Sequence, residues 1–139
     1  MYQIINGHIE INHISVRAYI PIELTGTKKK KSKTYIGWID TGATHTMICK
    51  KVLTDLEFLK EGETTATLAN GTVTKSDLYL VKFKISGTHD DSKLIDTLHV
   101  TLSEKELIGY NLLIGLDILQ HGKFIYDGQK QAYSLSFNK

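Results

Sequence analysis

The chain has one cysteine and one proline in 139 residues. With Cys49 alone, an intrachain disulfide is impossible. No plausible base accompanies Cys49 in sequence, so it reads as a small core residue. A dominant charge is lacking too: 17 basic residues face 15 acidic ones, for a net charge of +2. No nucleic-acid partner is expected from so small an excess. The uncharged apolar runs are far too short to span a bilayer, so no membrane partner is expected either. The first residues, MYQIINGHIEINH, lack a basic segment followed by a continuous apolar one, so no secretory signal is read there. The single cysteine and the unread secretory signal together point to a reducing, cytoplasmic setting. The glycines never cluster as GxGxxG or GxxxxGK. The six histidines show no ligand spacing with a carboxylate or with Cys49. No cofactor and no metal are expected.

Apolar residues make up 41% of the chain, enough for one core, and no repeat or low-complexity linker divides it. We read residues 1–139 as a single domain. Five of the 17 basic residues fall in KKKKSK, at positions 28–33. That run reads as a solvated loop between two strands. A phosphate- or acid-binding finger is the sharper alternative, but no aromatic residue is interleaved to stack on a base.

Most of the sequence alternates with period two, the signature of half-buried strands. Ile14, Val16, Ala18, Ile20, Ile22 and Leu24 form one such row, with Pro21 on the outer set suggesting an edge or a bulge. Asn6 and Gly7 read as a tight hairpin between QII and HIEI. TYIGWID, 34–40, is a short apolar strand. Val52, Leu56 and Leu59 fit one face of a short helix. A strand over 63–69 ends at Asn70-Gly71, which suits a two-residue type I′ turn. The following strand carries Tyr79, Val81, Phe83 and Ile85 on one face. GTHDDSK, 87–93, is a loop, and Leu98, Val100 and Leu102 alternate in a strand over 94–102. NLLIG, 111–115, is a buried run. LDILQH follows as one or two helical turns, with Gly122 as a C-cap. The tail is a hairpin with Tyr133, Leu135 and Phe137 on one face. The fold class is therefore all-β, with one or two short helices.

One stretch carries chemistry. In WIDTGATHTMI, 38–48, an apolar strand runs into Asp40 and turns at once. Asp40 can be an Asx-type turn residue bent by Gly42. It can equally be a catalytic acid, because a carboxylate in an apolar setting needs hydrogen bonds or a shifted pKa. Two further features align with it: the hairpin at Asn70-Gly71, about thirty residues on, and LLIGLDIL at 112–119 near the end of the chain.

In that order and spacing, DTGAT at 40–44, TLANGTV at 67–73 and LLIGLDIL resemble the retropepsin-like aspartic proteases. The resemblance covers nearly the whole chain. It implies a closed β-barrel of the acid-protease fold and an aspartic endopeptidase acting on a peptide or protein. That chemistry needs two carboxylates sharing one proton. The chain has only one Asp-Thr-Gly. The resemblance therefore implies a homodimer in which a second copy supplies the second Asp40 on the two-fold axis. It assigns Asp40 as catalytic and Thr41, Gly42, Ala43 and Thr44 as the active-site loop, with Thr41 bonding across the axis. Leu68, Ala69, Asn70, Gly71 and Thr72 would form the flap over the substrate, although the same residues also read as an ordinary surface hairpin. Tyr110, Asn111 and Leu113 would line the channel, and Leu113 also reads as core. Ala43 cannot donate the hydrogen bond that Ser or Thr gives the carboxylate in pepsin-like relatives, which implies a milder pH optimum than pepsin's. Retroviral members carry an Asp at the position of Thr44 and an Arg at that of Leu116, an ion pair that braces the dimer; both partners are replaced here. With the glycine-poor flap, that departure supports the alternative of a catalytically silent dimerisation or peptide-binding module.

Overall fold

Among the described residues, the period-two segments fold into ten strands. The computed structural model describes residues 2–11, 16–28, 30–67, 69–86, 92–103 and 107–138. Along the chain run β1 (Tyr2–Ile11), β2 (Val16–Thr25), β3 (Ser32–Ile39), β4 (Met47–Ile48), α1 (Lys50–Leu56), β5 (Leu59–Thr67) and β6 (Val73–Ser86). There follow β7 (Ser92–Leu102), β8 (Leu112–Ile114), α2 (Leu116–Leu119), β9 (Gly122–Asp127) and β10 (Ala132–Asn138). Ile14, Leu68 and 87–91 of the predicted loop lie outside the described residues.

The sheet order is β5-β6-β7-β4-β8-β3-β2-β1-β10-β9, and a further β2–β6 pairing closes six of these strands into a barrel. Closure removes the edges of the barrel itself. Its interior is filled from alternate positions: Ala18, Ile20, Ile22 and Leu24 of β2, Val81, Phe83 and Ile85 of β6, and Leu112 and Ile114 of β8 are all buried. Val52 and Leu56 of α1 and Ile118 of α2 join the same core. Burying an aliphatic or aromatic side chain of this size stabilises the fold by about 1.5–3 kcal/mol. Pro21 is exposed opposite Ile36. β1 covers only 16–18 of β2, and β6 only 23–25. Pro21 thus sits between those two contacts, with no second ladder asking for its missing N–H.

Local signals misled the reading in several places. Asn6 and Gly7 do not turn: β1 runs straight through them, in register with β10 from Tyr2↔Asn138 to His8↔Ala132. Long-range pairing overrides the dipeptide's turn preference. Leu59 is not on the helix. Glu57 takes a positive φ of 54° after α1, which turns Phe58 into the core and leaves Leu59 41% exposed at the start of β5. Ser92 and Lys93 belong to β7, not to the loop before it. Gln120 caps α2, and Gly122 instead opens β9. A side chain at 122 would collide with the backbone and ring of the opposing β10 strand. Finally, Asn70-Gly71 is not a type I′ turn. Of the two, only Gly71 has a positive φ, 84°. The last β5–β6 pair is Thr67↔Val73, and Asn70 Oδ1 accepts the Thr72 amide at 2.9 Å. A longer loop closed by an Asx turn replaces the two-residue one.

The terminal strands are tied to the barrel through Tyr133, whose hydroxyl donates to the Tyr19 carbonyl. Tyr133 is buried, and burial pushes its phenol up to about 12. The folded state therefore holds this proton more tightly than the unfolded chain, so the stabilisation is full below pH about 10 and declines as pH rises towards 12. Tyr133→Phe is expected to lower stability by about 1–2 kcal/mol. In urea unfolding at a series of alkaline pH values, the same variant should flatten the loss of stability above pH about 10.

Candidate active site

Asp40 follows directly on β3, and the ladder continues through its backbone: its amide donates to the Ile114 carbonyl at 2.9 Å. β3 and β8 are parallel here, with Trp38↔Leu113 and Ile39↔Ile114 in register. The carboxylate accepts the Gly42 amide at 2.9 Å, so the Asx turn is real, and the Asp40 carbonyl accepts the Ala43 amide at 3.2 Å. The Asp40 side chain is half-buried, while Thr41, Gly42, Thr44 and His45 are exposed. The acid is thus held by its own turn and presented outward.

The loop is fixed from below by α2. A helix leaves its first amides without internal partners. Here they are taken by the loop: Leu116 N donates to the Ala43 carbonyl at 2.8 Å and Asp117 N to the Thr44 carbonyl at 3.2 Å. Gly115 makes this approach possible. A Cβ at 115 would lie 2.8 Å from the Ala43 oxygen and 2.8 Å from the His45 carbonyl carbon.

A second tie uses Asp117. Its carboxylate accepts the Thr46 amide at 2.8 Å, the Thr46 hydroxyl at 2.7 Å and the Ile118 amide at 2.9 Å. Thr46 is fully buried, and its hydroxyl oxygen in turn accepts the Gly115 amide at 3.1 Å. Within the helix, Asp117 takes up one first-turn amide, that of Ile118. Its larger role, clamping Thr46, was not read from the sequence. The only signal there was a polar residue between the motif and Met47-Ile48, awaiting a buried partner.

Of the predicted channel residues, Tyr110 and Leu113 sit on one face with three others. The Tyr110 ring meets Trp38 edge-on at 5.3 Å and tilts against Tyr19 at 6.3 Å. Leu113 is opposite both Trp38 and Met47 in the ladders. All five side chains are half-buried, on the face opposite buried Leu112 and Ile114. Trp38, Met47 and Tyr19 are additions the sequence reading did not name as site residues. Period two did place Trp38 out of phase with its buried neighbour Ile39.

Asn111 plays a different part. Its Oδ1 accepts the Ile36 amide at 3.1 Å, its own amide donates to the Ile36 carbonyl at 2.7 Å, and its carbonyl accepts the Cys49 amide at 3.0 Å. It joins β3, β8 and the start of α1. Ala69, Asn70, Gly71 and Thr72 form the exposed tip of the β5–β6 hairpin. Among the described residues, no hydrogen bond joins that tip to the Asp40 loop. Thr44 and Leu116 are both exposed, Leu116 by 45%. Among the described residues, no group of three or more His, Cys, Asp or Glu is placed to hold a metal, and no helix is long and apolar enough to cross a membrane.

The sequence model of one family, aspartyl protease, matches residues 22–112, well over half of the chain. The chain belongs to the aspartyl protease family. The match takes in the Asp40 loop, the β5–β6 hairpin and the start of β8. Among solved structures, the chain is similar to a retropepsin-like aspartic protease from Rickettsia conorii. The two are 18% identical with a TM-score of 0.63, over 99% of this chain and 94% of that one. It is also similar to the EIAV protease solved with the inhibitor HBY-793, at 14% identity and a TM-score of 0.50, over 80% of this chain and 92% of that one. At such identities the likeness establishes the fold, which is retropepsin-like. No curated protein matches the sequence.

The clamp can be tested without touching Asp40. Asp117→Ala leaves the buried Thr46 hydroxyl and amide without their acceptor and is expected to cost about 2–4 kcal/mol. Asp117→Asn, which keeps one acceptor oxygen, should cost less. Thermal or urea unfolding of the two variants reads the difference, and equal stability of Asp117→Ala and wild type contradicts the clamp.

Proposed function

We propose that this chain is a homodimeric aspartic endopeptidase in which Asp40 of each copy faces the other across a two-fold axis. The observation that carries the reading is the presentation of a single Asp-Thr-Gly carboxylate on a loop pinned to α2, in a member of the aspartyl protease family. One such carboxylate is half of the machinery this chemistry needs. Two close carboxylates cannot both ionise, so a pair holds one proton over a wide pH range. The ionised Asp40 takes a proton from water, and the water oxygen attacks the scissile carbonyl carbon. The neutral Asp40 gives its proton to the carbonyl oxygen. Collapse of the tetrahedral diol passes a proton to the amide nitrogen, breaks the C–N bond and returns one proton to the pair.

Thr41 would bond across the axis to the partner's loop, holding the two loops in register. Leu113, Tyr110, Trp38 and Met47 offer an apolar wall beside the acid, suited to apolar side chains of a peptide or protein. The tip at Ala69, Asn70, Gly71 and Thr72 would close over that peptide, with backbone amides as its contacts. The setting proposed for this work is the cytoplasm.

Asp40→Asn is the direct test. Cleavage of a peptide library should vanish, with thermal unfolding and the sedimentation coefficient unchanged. Cleavage at the wild-type rate would show a contaminating protease, and a dimeric wild type that cleaves nothing favours the silent binding module. Because Ala43 offers the carboxylate no side-chain donor, the rate profile should peak well above pH about 3. A peak below that contradicts the reading of Ala43.

A further inference from the structure

The lysine run between β2 and β3 takes no part in the site described above, yet its backbone is tied down. Gly26 N donates to the Lys31 carbonyl at 2.8 Å and closes the turn. Thr27 Oγ1 donates to the Leu80 carbonyl at 2.9 Å and accepts the Leu59 amide at 2.8 Å, so one side chain ties the loop to both β6 and β5. The Lys28 amide donates to the Glu57 carbonyl at 3.2 Å, just past α1. The side chains of Lys28, Lys30 and Lys31 are exposed on this fixed frame. A frame ordered in advance lowers the cost of meeting a partner.

β6 adds to the charge. Thr25 stands in register with Ser32 on one side and Lys82 on the other, and Glu23 with Lys84. Lys82 and Lys84 alternate with buried Val81, Phe83 and Ile85, so they face outward, as Thr25 and Glu23 do beside buried Leu24 and Ile22. Lys33 is engaged by Asp55 at 3.3 Å. Among the described residues, Lys28, Lys30, Lys31, Lys82 and Lys84 make no ion pair.

One continuous face joins this basic end to the acid. The outward pairs of β2 and β3 run Thr25↔Ser32, Glu23↔Thr34, Pro21↔Ile36 and Tyr19↔Trp38, and Asp40 follows two residues after Trp38. Pro21 is exposed and Ile36 is exposed by 41%. The apolar row of Tyr19 and Trp38 thus continues one rung further, towards the lysines. At 3.3 Å per residue, Ser32 lies about 26 Å from Asp40 along β3.

We infer that the lysine loop, with Lys82 and Lys84, is a docking surface for an acidic stretch of the protein substrate, which reaches it along the outer face of β2 and β3. The inference rests on the peptidase reading above and adds a substrate class to it. Such a substrate carries a carboxylate-rich segment about eight extended residues from the scissile bond. Carboxylates suit these lysines better than nucleic acid does. None of the five is an arginine, whose planar fork grips phosphate, and no aromatic residue is interleaved in the loop to stack on a base.

The test uses the full chain and a peptide cut well in the library, extended at one terminus or the other by a glycine-serine spacer and four glutamates. With the glutamates about eight residues from the scissile bond, KM is expected to fall about fivefold at low salt, relative to the same peptide ending in four serines. The gain should fade at about 0.5 M salt. With a two-residue spacer no gain is expected, because the tract then stops on the apolar rungs. In a Lys30→Ser, Lys31→Ser, Lys82→Ser chain the glutamate and serine peptides should have equal KM. Its thermal unfolding should match wild type, since all three side chains are exposed. A gain that ignores spacer length, or that survives the triple substitution, overturns the inference.

Fluorescence anisotropy of a labelled peptide bearing the glutamate tract reads docking without cleavage. Binding that is lost in the triple variant, in a chain that cleaves nothing, supports the docking surface and removes the peptidase. Cleavage with no preference for the glutamate tract removes the surface and leaves the peptidase standing. Tighter binding of an oligothymidylate, or of phosphatidylserine vesicles, at the same salt overturns the acidic-peptide assignment.

Discussion

Everything at this site depends on the contact between the Asp40 loop and the first turn of α2. A carboxylate can be presented usefully only if its backbone does not move, and a glycine-bearing loop is mobile by default. Two carbonyls of the loop, Ala43 and Thr44, accept amides that the helix cannot satisfy itself. One carboxylate, Asp117, holds the buried Thr46 at the far end of the same loop. The exchange is reciprocal: the helix is capped by the loop, and the loop is shaped by the helix. Gly115 is fixed by the same contact, since backbone atoms of Ala43 and His45 occupy the place of its side chain.

The barrel serves this contact. β3 and β8 run parallel into the loop and into α2, so Asp40 and Gly115 arrive side by side from two central strands. Asn111 sets their register by bonding Ile36 through both side chain and backbone. The face opposite the core is left to Trp38, Met47, Tyr110 and Leu113, half-buried side chains on and beside the strands that lead to Asp40. Backbone carbonyls and the Asp117 carboxylate brace this loop, and Thr44 and Leu116 stand where the resemblance places an ion pair in retroviral members. Thr44 and Leu116 are both exposed, so no buried charge is left without a partner.

Much of this was legible in the chain. Burial on one face wrote itself into β2, β6 and β10 as strict alternation, and Ala18 to Leu24, Val81 to Ile85 and Tyr133 to Phe137 all point inward as the pattern required. The family features at 40–44 and 112–119 were legible through their order and spacing with the Asn70-Gly71 segment, which carried the resemblance; alone, Asp40 reads equally as the Asx turn that it also makes. Illegible were the features decided by partners far along the chain. Asn6-Gly7 is a good turn sequence, yet β10 claims it as a strand. Leu59 fits a helical face, yet one positive φ at Glu57 hands its place to Phe58. Thr46 and Asp117 lie 71 residues apart, and no local pattern couples them. The turn at Asn70 was missed for a local reason: its side chain accepts the amide of Thr72, two residues on, and closes an Asx turn that the Asn-Gly pair does not announce.

The central claim is that Asp40 works as half of a pair, and subunit mixing tests it most directly. Wild-type chain, held at a concentration where it is dimeric, is mixed with an equal amount of the Asp40→Asn chain and left to exchange. If the pair is the active unit, half of the wild-type chains enter mixed dimers with a single carboxylate, and cleavage falls to about half its starting rate. If cleavage is indifferent to the added Asp40→Asn chains while exchange is complete, one Asp40 suffices and the paired site is wrong.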